Sequence, residues 1–226
     1  RILSRVGFHS VYERSIKEAV NLAYQHGFAS VQVDITMPRF FPERYSTKRR
    51  EQIQRYAEDR NVMLKIHAPG EDFSLQTLHK PIQQVIIKRL KEVIDFSCDL
   101  GAKLVTIHPD AVPAFTIPRI GHVPIDMQYY SLHIKALKTA FMELSKYSKG
   151  RVLLCVENSP ITASTIDVLS GMLKEDQIFL TWDIAKMYRS DGSIITDVEN
   201  FYLRHLGNVR ECHLHDRTKE HGHQII

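Results

Sequence analysis

"IFLTWDIAK", residues 178–186, runs apolar and then reaches a carboxylate at Asp183, with Lys186 three positions on. Taken alternately, its residues separate: Leu180 and Trp182 fall on one side, Thr181 and Asp183 on the other. A period of two is that of a β-strand, so one face is apolar and the other ends in a charge. The same division recurs in other short runs. "VMLKIH" (62–67), "KLVTIH" (103–108), "VLLCVE" (152–157) and "VRECHLH" (209–215) follow it. Their apolar sets are Leu64 and Ile66, Val105 and Ile107, Leu154 and Val156, Cys212 and Leu214. Their other sets are Lys65 and His67, Thr106 and His108, Cys155 and Glu157, Glu211 and His213. A parallel sheet in an open α/β fold is covered on both sides and should be apolar on both. One apolar and one polar face fits a closed barrel whose upper interior is a site.

Helical patterns fill the intervals. "SIKEAVNLAYQHG" (15–27) and "PIQQVIIKRLKEVIDFSCDLG" (81–101) space apolar residues for a helix and end in Gly. "YYSLHIKALKTAFMELSKYSKG" (129–150), "TIDVLSGMLKED" and "ITDVENFYLRHLG" repeat the pattern. With "RVGF" (5–8) and "SVQVDI" (30–35), seven strand runs alternate with helices. This predicts an α/β chain with a parallel sheet, a (β/α)₈ TIM barrel rather than an open sheet. The eighth strand is missing from the sequence, which stops at "HGHQII". The expectation is therefore that the chain continues or that a partner covers the gap.

The 226 residues are 43% hydrophobic and 25% charged, enough for one sizeable core, so residues 1–226 are expected to be a single domain. A formal charge of +4 tolerates an anionic substrate without demanding nucleic acid, and no basic run exceeds "KRR" (48–50). Cys98, Cys155 and Cys212 lack metal spacing and read as reduced thiols of a cytoplasmic protein. No membrane-length apolar stretch is present, and no membrane partner is expected.

Four successive runs end in His67, His108, Glu157 and Asp183, and the fifth carries His213 near its end. In a parallel barrel these ends meet on the rim where such folds place their chemistry. Imidazoles and carboxylates together are the ligand set of a divalent transition metal. Two carboxylates buried side by side without a cation would be costly. Any one of these histidines alone could be a hydrogen-bonded structural residue; five in register point to metal. The His-rich "HLHDRTKEHGH" (213–223) by itself could equally be a solvated loop.

The phrases "KIHAP" (65–69), "VTIHPD" (105–110), "CVENSP" (155–160), "TWDIAK" (181–186) and "CHLHD" (212–216), in this order, resemble the xylose isomerase-like barrels. That superfamily includes endonuclease IV and sugar or sugar-phosphate isomerases and epimerases. The resemblance implies that His67, His108 and Glu157 share one metal, and that Glu157 bridges to a second held by Asp183 and His213. A third zinc of endonuclease IV would fall on Lys186, His221 and His223, where Lys replaces one histidine and His221 replaces an aspartate. Single-metal isomerases use the positions of Glu157, Asp183 and His213 with a Glu from the eighth strand.

The function this implies is a divalent-metal-dependent isomerase or epimerase of a small sugar or sugar phosphate, using one or two zinc or manganese ions. Glu157 and Lys186 are its candidate catalytic residues. Lys186 is expected to stand in for a third metal's charge and to face an anionic substrate group or a carboxylate such as Asp216. The alternative is an endonuclease IV-like phosphodiesterase acting on abasic DNA. It ranks second, because Gly70 lies where an intercalating aromatic is expected and Glu71 and Asp72 would repel a phosphate backbone. "MPRFFPERY" (37–45) could sit on DNA, lid a small pocket, or be a packed surface loop. Oligomeric state is not legible.

Overall fold

The computed structural model describes residues 5–70, 73–110, 114–119, 121–124, 129–159, 161, 163–174, 178–189 and 192–215. They fall into two compact units. The first takes residues up to 70, with 88–107 and 147–154; the second takes 71–87, 108–146 and 155 onward.

In the first unit β1 (Gly7–Ser10), β2 (Ser30–Asp34), β3 (Met63–His67) and β4 (Leu104–Ile107) pair in chain order, all parallel. The helices α1 (Ile16–His26), α2 (Thr47–Glu58) and the later part of α3 (Lys80–Asp99) supply the crossovers. Val31, Val33, Leu64, Ile66 and Val105 are buried, as the alternation requires. Gly7 is needed where β1 meets β2: a Cβ there would lie 2.1 Å from Ser30 Oγ. α1 begins at Ser15, whose Oγ accepts the Glu18 N–H at 3.2 Å. It stops at Gly27, whose φ of 73° lies in the left-handed region.

The stretch "MPRFFPERY" forms two short 3-10 turns, Pro38–Phe40 and Pro42–Arg44. Phe40, Pro42 and Tyr45 are buried there. Arg50 donates to the Pro42 and Tyr45 carbonyls at 2.9 Å each. Arg39 donates to the Tyr12 carbonyl at 3.0 Å. This is the packed-loop reading of the three alternatives.

In the second unit β7 (Leu153–Glu157), β8 (Phe179–Asp183) and β9 (Val209–His213) pair in parallel, in chain order. The start of β7 belongs to the first unit, where the Leu153 N–H donates to the Lys103 carbonyl at 3.2 Å. α4 (Tyr130–Ser148), α5 (Ala163–Leu173) and α6 (Thr196–Arg204) connect the strands. Tyr202 of α6 stacks on Trp182 at 5.4 Å, and its hydroxyl donates to the Thr181 carbonyl at 3.1 Å. An antiparallel hairpin, β5 (Ala114–Ile117) and β6 (Gly121–Pro124), comes between β4 and α4 in the chain.

Seven parallel strands joined by helices are the construction of a (β/α)₈ barrel; an eighth is not found among the described residues. Leu154, Val156 and Leu180 are buried as expected, but Cys212 and Leu214 are exposed. β9 is a terminal strand of the sheet, and among the described residues no helix follows it to cover that face. All three cysteines are free thiols. No helix of the described residues is long and apolar enough to cross a membrane.

Candidate metal centre

The second unit brings His108, Glu157, Asp183, Lys186 and His213 together. Glu157 ends β7, Asp183 ends β8 and His213 ends β9. In the ladder Glu157 is level with Thr181, and Asp183 with His213. Ligand atoms of Glu157, Asp183 and His213 all lie within 4.8 Å of one another. Glu157 is fully buried and Asp183 is 1% exposed, so two carboxylates lie close together beneath the surface.

Their oxygens are divided among distinct partners. Glu157 Oε2 accepts from His108 Nε2 at 3.1 Å and lies 3.3 Å from His213 Nδ1. Glu157 Oε1 accepts from Lys186 Nζ at 2.6 Å, and the same ammonium is 3.5 Å from Asp183 Oδ2. The D-x-x-K spacing explains this reach. After β8 the chain enters a 3-10 turn, Ala185–Met187, and Asp183 Oδ1 accepts the Lys186 backbone N–H at 3.2 Å. The lysine stem therefore rises beside the carboxylate that caps its own turn. Lys186 does not point to solvent: it meets the two central carboxylates. Burial opposes charging of His213, but hydrogen bonds to Glu157 and Glu211 outweigh it and lift its pKa to about 9.

Two residues at this centre escaped the sequence reading. His215 Nε2 donates to Asp183 Oδ1 and Oδ2 at 3.0 and 3.1 Å. It lies two positions past His213, the spacing that keeps side chains on one face of an extended chain, so the period-two rule carried past β9 would have found it. Asn158 Nδ2 donates to the Asp183 carbonyl at 2.8 Å while its Oδ1 accepts the Asp183 N–H at 2.7 Å. This side chain imitates a strand ladder and ties the end of β7 to the end of β8.

His67 closes β3 in the first unit, beside Asp34 and His9. Ligand atoms of these three also lie within 4.8 Å of one another. His9 Nε2 donates to Asp34 Oδ2 at 3.1 Å, and His67 Nδ1 is 3.9 Å from Asp34 Oδ1. Burial works against ionisation of Asp34, but the His9 hydrogen bond, the His67 charge and the Thr36 N–H hold its pKa well below the usual carboxylate range. His9 and Asp34 are not legible from the run ends, because "RVGF" stops at Phe8, one residue short, and "SVQVDI" ends one residue past Asp34, at Ile35. His221 and His223, with Glu71, Asp72 and Asp216, lie outside the described residues.

The donor set fits a divalent ion. His108 Nε2 and His213 Nδ1 each lie beside Glu157 Oε2, imidazole and carboxylate donors of the kind that can hold a divalent ion. The Oε1 side of Glu157 already faces a cation, Lys186.

The chain matches the family described as xylose isomerase-like TIM barrel over residues 20–224. No curated protein matches the sequence. Among solved structures, a D-tagatose 3-epimerase-like protein superposes with a TM-score of 0.71 at 16% identity, covering 96% of this chain and 78% of its own. Endonuclease IV from Thermus thermophilus gives 0.67 at 16%, with coverages of 94% and 76%. D-psicose 3-epimerase from Clostridium cellulolyticum gives 0.67 at 13%, with 93% and 72%. At these identities the likeness establishes the fold, in agreement with the strand–helix order and the placement of polar residues at strand ends. With the match spanning nearly its whole length, the chain belongs to the xylose isomerase-like TIM barrel family.

Proposed function

We propose that the protein is a divalent-metal-dependent isomerase or epimerase of a small sugar or sugar phosphate. The observation that carries this reading is the meeting of Glu157, Asp183 and His213 at three neighbouring strand ends, two of them buried carboxylates. Epimerases acting on small sugars among the structural neighbours support the substrate class. Glu157, Asp183 and His213 would hold the ion, with His108 beside them. When bound, a divalent ion polarises the substrate's oxygens. The chain's own residues supply the rest. Glu157 serves as one acid–base group: it takes the proton from the carbon next to the carbonyl and, in an isomerisation, returns it to the neighbouring carbon, while an epimerisation needs a second acid on the opposite face. Lys186 and His108 hold the two Glu157 oxygens in place, so the proton acceptor has one orientation. His215 and Asn158 fix Asp183 from the side chain and the backbone.

The test is proton exchange. The protein is incubated with manganese or zinc in D₂O and a panel of ketohexoses and their phosphates. Deuterium should appear at the carbon beside the carbonyl, and Glu157→Gln should abolish it. Absence of exchange from every sugar, with robust nicking of abasic DNA instead, would replace this reading with the endonuclease IV-like one.

A further inference from the structure

The first unit repeats, at its own strand ends, the construction seen in the second. β1, β2 and β3 are neighbours in the sheet, and each carries a metal-type donor at or next to its C-terminal end: His9, Asp34 and His67. The period of two puts all three on one face. His9 is level with Gln32, two residues before Asp34, and Asp34 is level with His67. We infer that these three residues form a divalent-metal site of their own, with two imidazoles, one carboxylate and a coordination position open to an oxygen ligand. The site shares no residue with Glu157, Asp183 and His213, so it goes beyond the function proposed above and does not depend on it.

Distances and access carry the inference. Ligand atoms of the three residues lie within 4.8 Å of one another. His9 Nε2 is 3.1 Å from Asp34 Oδ2, and His67 Nδ1 is 3.9 Å from Asp34 Oδ1. An ion with bonds of about 2.0–2.2 Å holds its tetrahedral ligand atoms about 3.4 Å apart, and the two separations fall on either side of that spacing. The 3.9 Å between Nδ1 and Oδ1 is too wide for a hydrogen bond and wide enough for both atoms to reach a common ion. β1 and β3 flank β2, so the imidazoles approach the carboxylate from either side. Their rings are inclined at 44° with centroids 5.1 Å apart and do not stack flat.

The backbone aims the carboxylate. The Thr36 N–H donates to Asp34 Oδ1 at 2.8 Å, which occupies one lone pair of that oxygen and leaves the other for an ion. The Ile35 N–H donates to the His67 carbonyl at 3.0 Å and keeps the ends of β2 and β3 in register. His67 is buried, Asp34 is half-buried and His9 is exposed, so an ion has a way in from the His9 side. Two imidazoles and a carboxylate suit zinc and its transition-metal neighbours. Three protein ligands with a fourth position open is the make-up of a zinc site that binds an oxygen, whereas a site that only braces a fold is closed by four.

Zinc is the probe. Crystals of the whole chain grown with zinc, measured at the zinc absorption edge, should show an anomalous peak about 2.0–2.2 Å from His9 Nε2, an Asp34 oxygen and His67 Nδ1. No peak there would overturn the inference. Elemental analysis after removal of free zinc gives the second readout. His9→Gln should bind one zinc fewer per chain than the wild type. Because His9 is exposed, this change leaves the core intact. His26→Gln, at an exposed histidine outside the cluster, should bind as much zinc as the wild type. Equal zinc in His9→Gln and wild type, or the same loss in both variants, would overturn the inference. Adding His9→Gln to the Glu157→Gln, Asp183→Asn double variant should remove one further zinc. If that double variant alone loses none while His9→Gln loses one, the metal reading of Glu157 and Asp183 fails and this site stands. A cluster that is only a hydrogen-bonded brace would show neither the peak nor the loss.

Discussion

Glu157 is the residue on which most of the centre converges, since it meets His108, His213 and Lys186 while fully buried. Glu157→Gln keeps the volume but removes the charge and the proton acceptor. Sugar turnover should fall by about 10²–10⁴-fold or more, with the far-ultraviolet dichroism of the wild type retained. Wild-type turnover in that variant would remove Glu157 from the chemistry. His213 yields a pH prediction. Its pKa is raised from 6.5 to about 9 by its carboxylate neighbours, and a protonated imidazole cannot ligate a metal. Zinc must displace that proton, so apparent zinc affinity should strengthen about tenfold per pH unit up to about 9. In chelator-treated protein the sign reverses. The folded state holds a proton that the unfolded state releases above 6.5, so His213's contribution to stability is full below 6.5 and is lost as pH rises to about 9. Urea midpoints measured with chelator and with zinc across that window should trend in opposite directions. These residues were legible because strand periodicity and strand ends are local facts of the chain. The partners of Lys186 were not. The sequence points it to an anionic substrate group or a carboxylate such as Asp216, which lies outside the described residues; among the described ones the turn after β8 directs the amine to two carboxylates, Glu157 and Asp183, a geometry set by the turn and not by residue spacing alone.

At the scale of elements, the ends of β7 and β8 are joined by a side chain. Asn158 exchanges two hydrogen bonds with the backbone of Asp183 and is buried. Asn158→Ala would leave the Asp183 N–H and carbonyl unmatched inside the protein, at a cost of about 1–3 kcal/mol. It should also weaken zinc binding, because Asp183 loses the contact that aims it; equilibrium unfolding and zinc titration measure the two effects separately. All seven parallel strands were legible, to within a residue or two at their ends, because each alternates apolar and polar residues. α2 was not. "TKRREQIQRYAE" buries little beyond Ile53 and Ala57, so its apolar stripe is too thin to register. It is held by its cap, with Ser46 Oγ accepting the Arg49 N–H, and by the Arg50 contacts to Asp99 and the Pro42 turn. The β5–β6 hairpin escaped for another reason: it pairs only with itself and adds no alternation to the parallel series.

At the scale of the molecule, one family fold serves neighbours as different as sugar epimerases and endonuclease IV, so the fold alone does not choose between them. Charge and the make-up of the centre are what bear on that choice. A formal +4 over 226 residues, with no basic run beyond three, is a weak electrostatic footprint for duplex DNA. The loop "MPRFFPERY", whose Arg and aromatic residues could have served as a stacking surface, commits part of them internally and leaves Arg44 exposed. Phe40 and Tyr45 are buried, and Arg39 is committed to the Tyr12 carbonyl. Phosphodiester hydrolysis by two metals also needs a cation on both the attacking and the leaving oxygen, whereas Lys186 already lies against both central carboxylates. Wild-type protein, loaded with zinc or manganese, should therefore show no nicking of a duplex carrying a single abasic site beyond that of the Glu157→Gln variant. The assay is run at catalytic enzyme concentration and low salt, where weak phosphate contacts are favoured. Robust metal-dependent nicking that Glu157→Gln removes would assign this centre to phosphoryl chemistry and demote the sugar reading, whatever its zinc count.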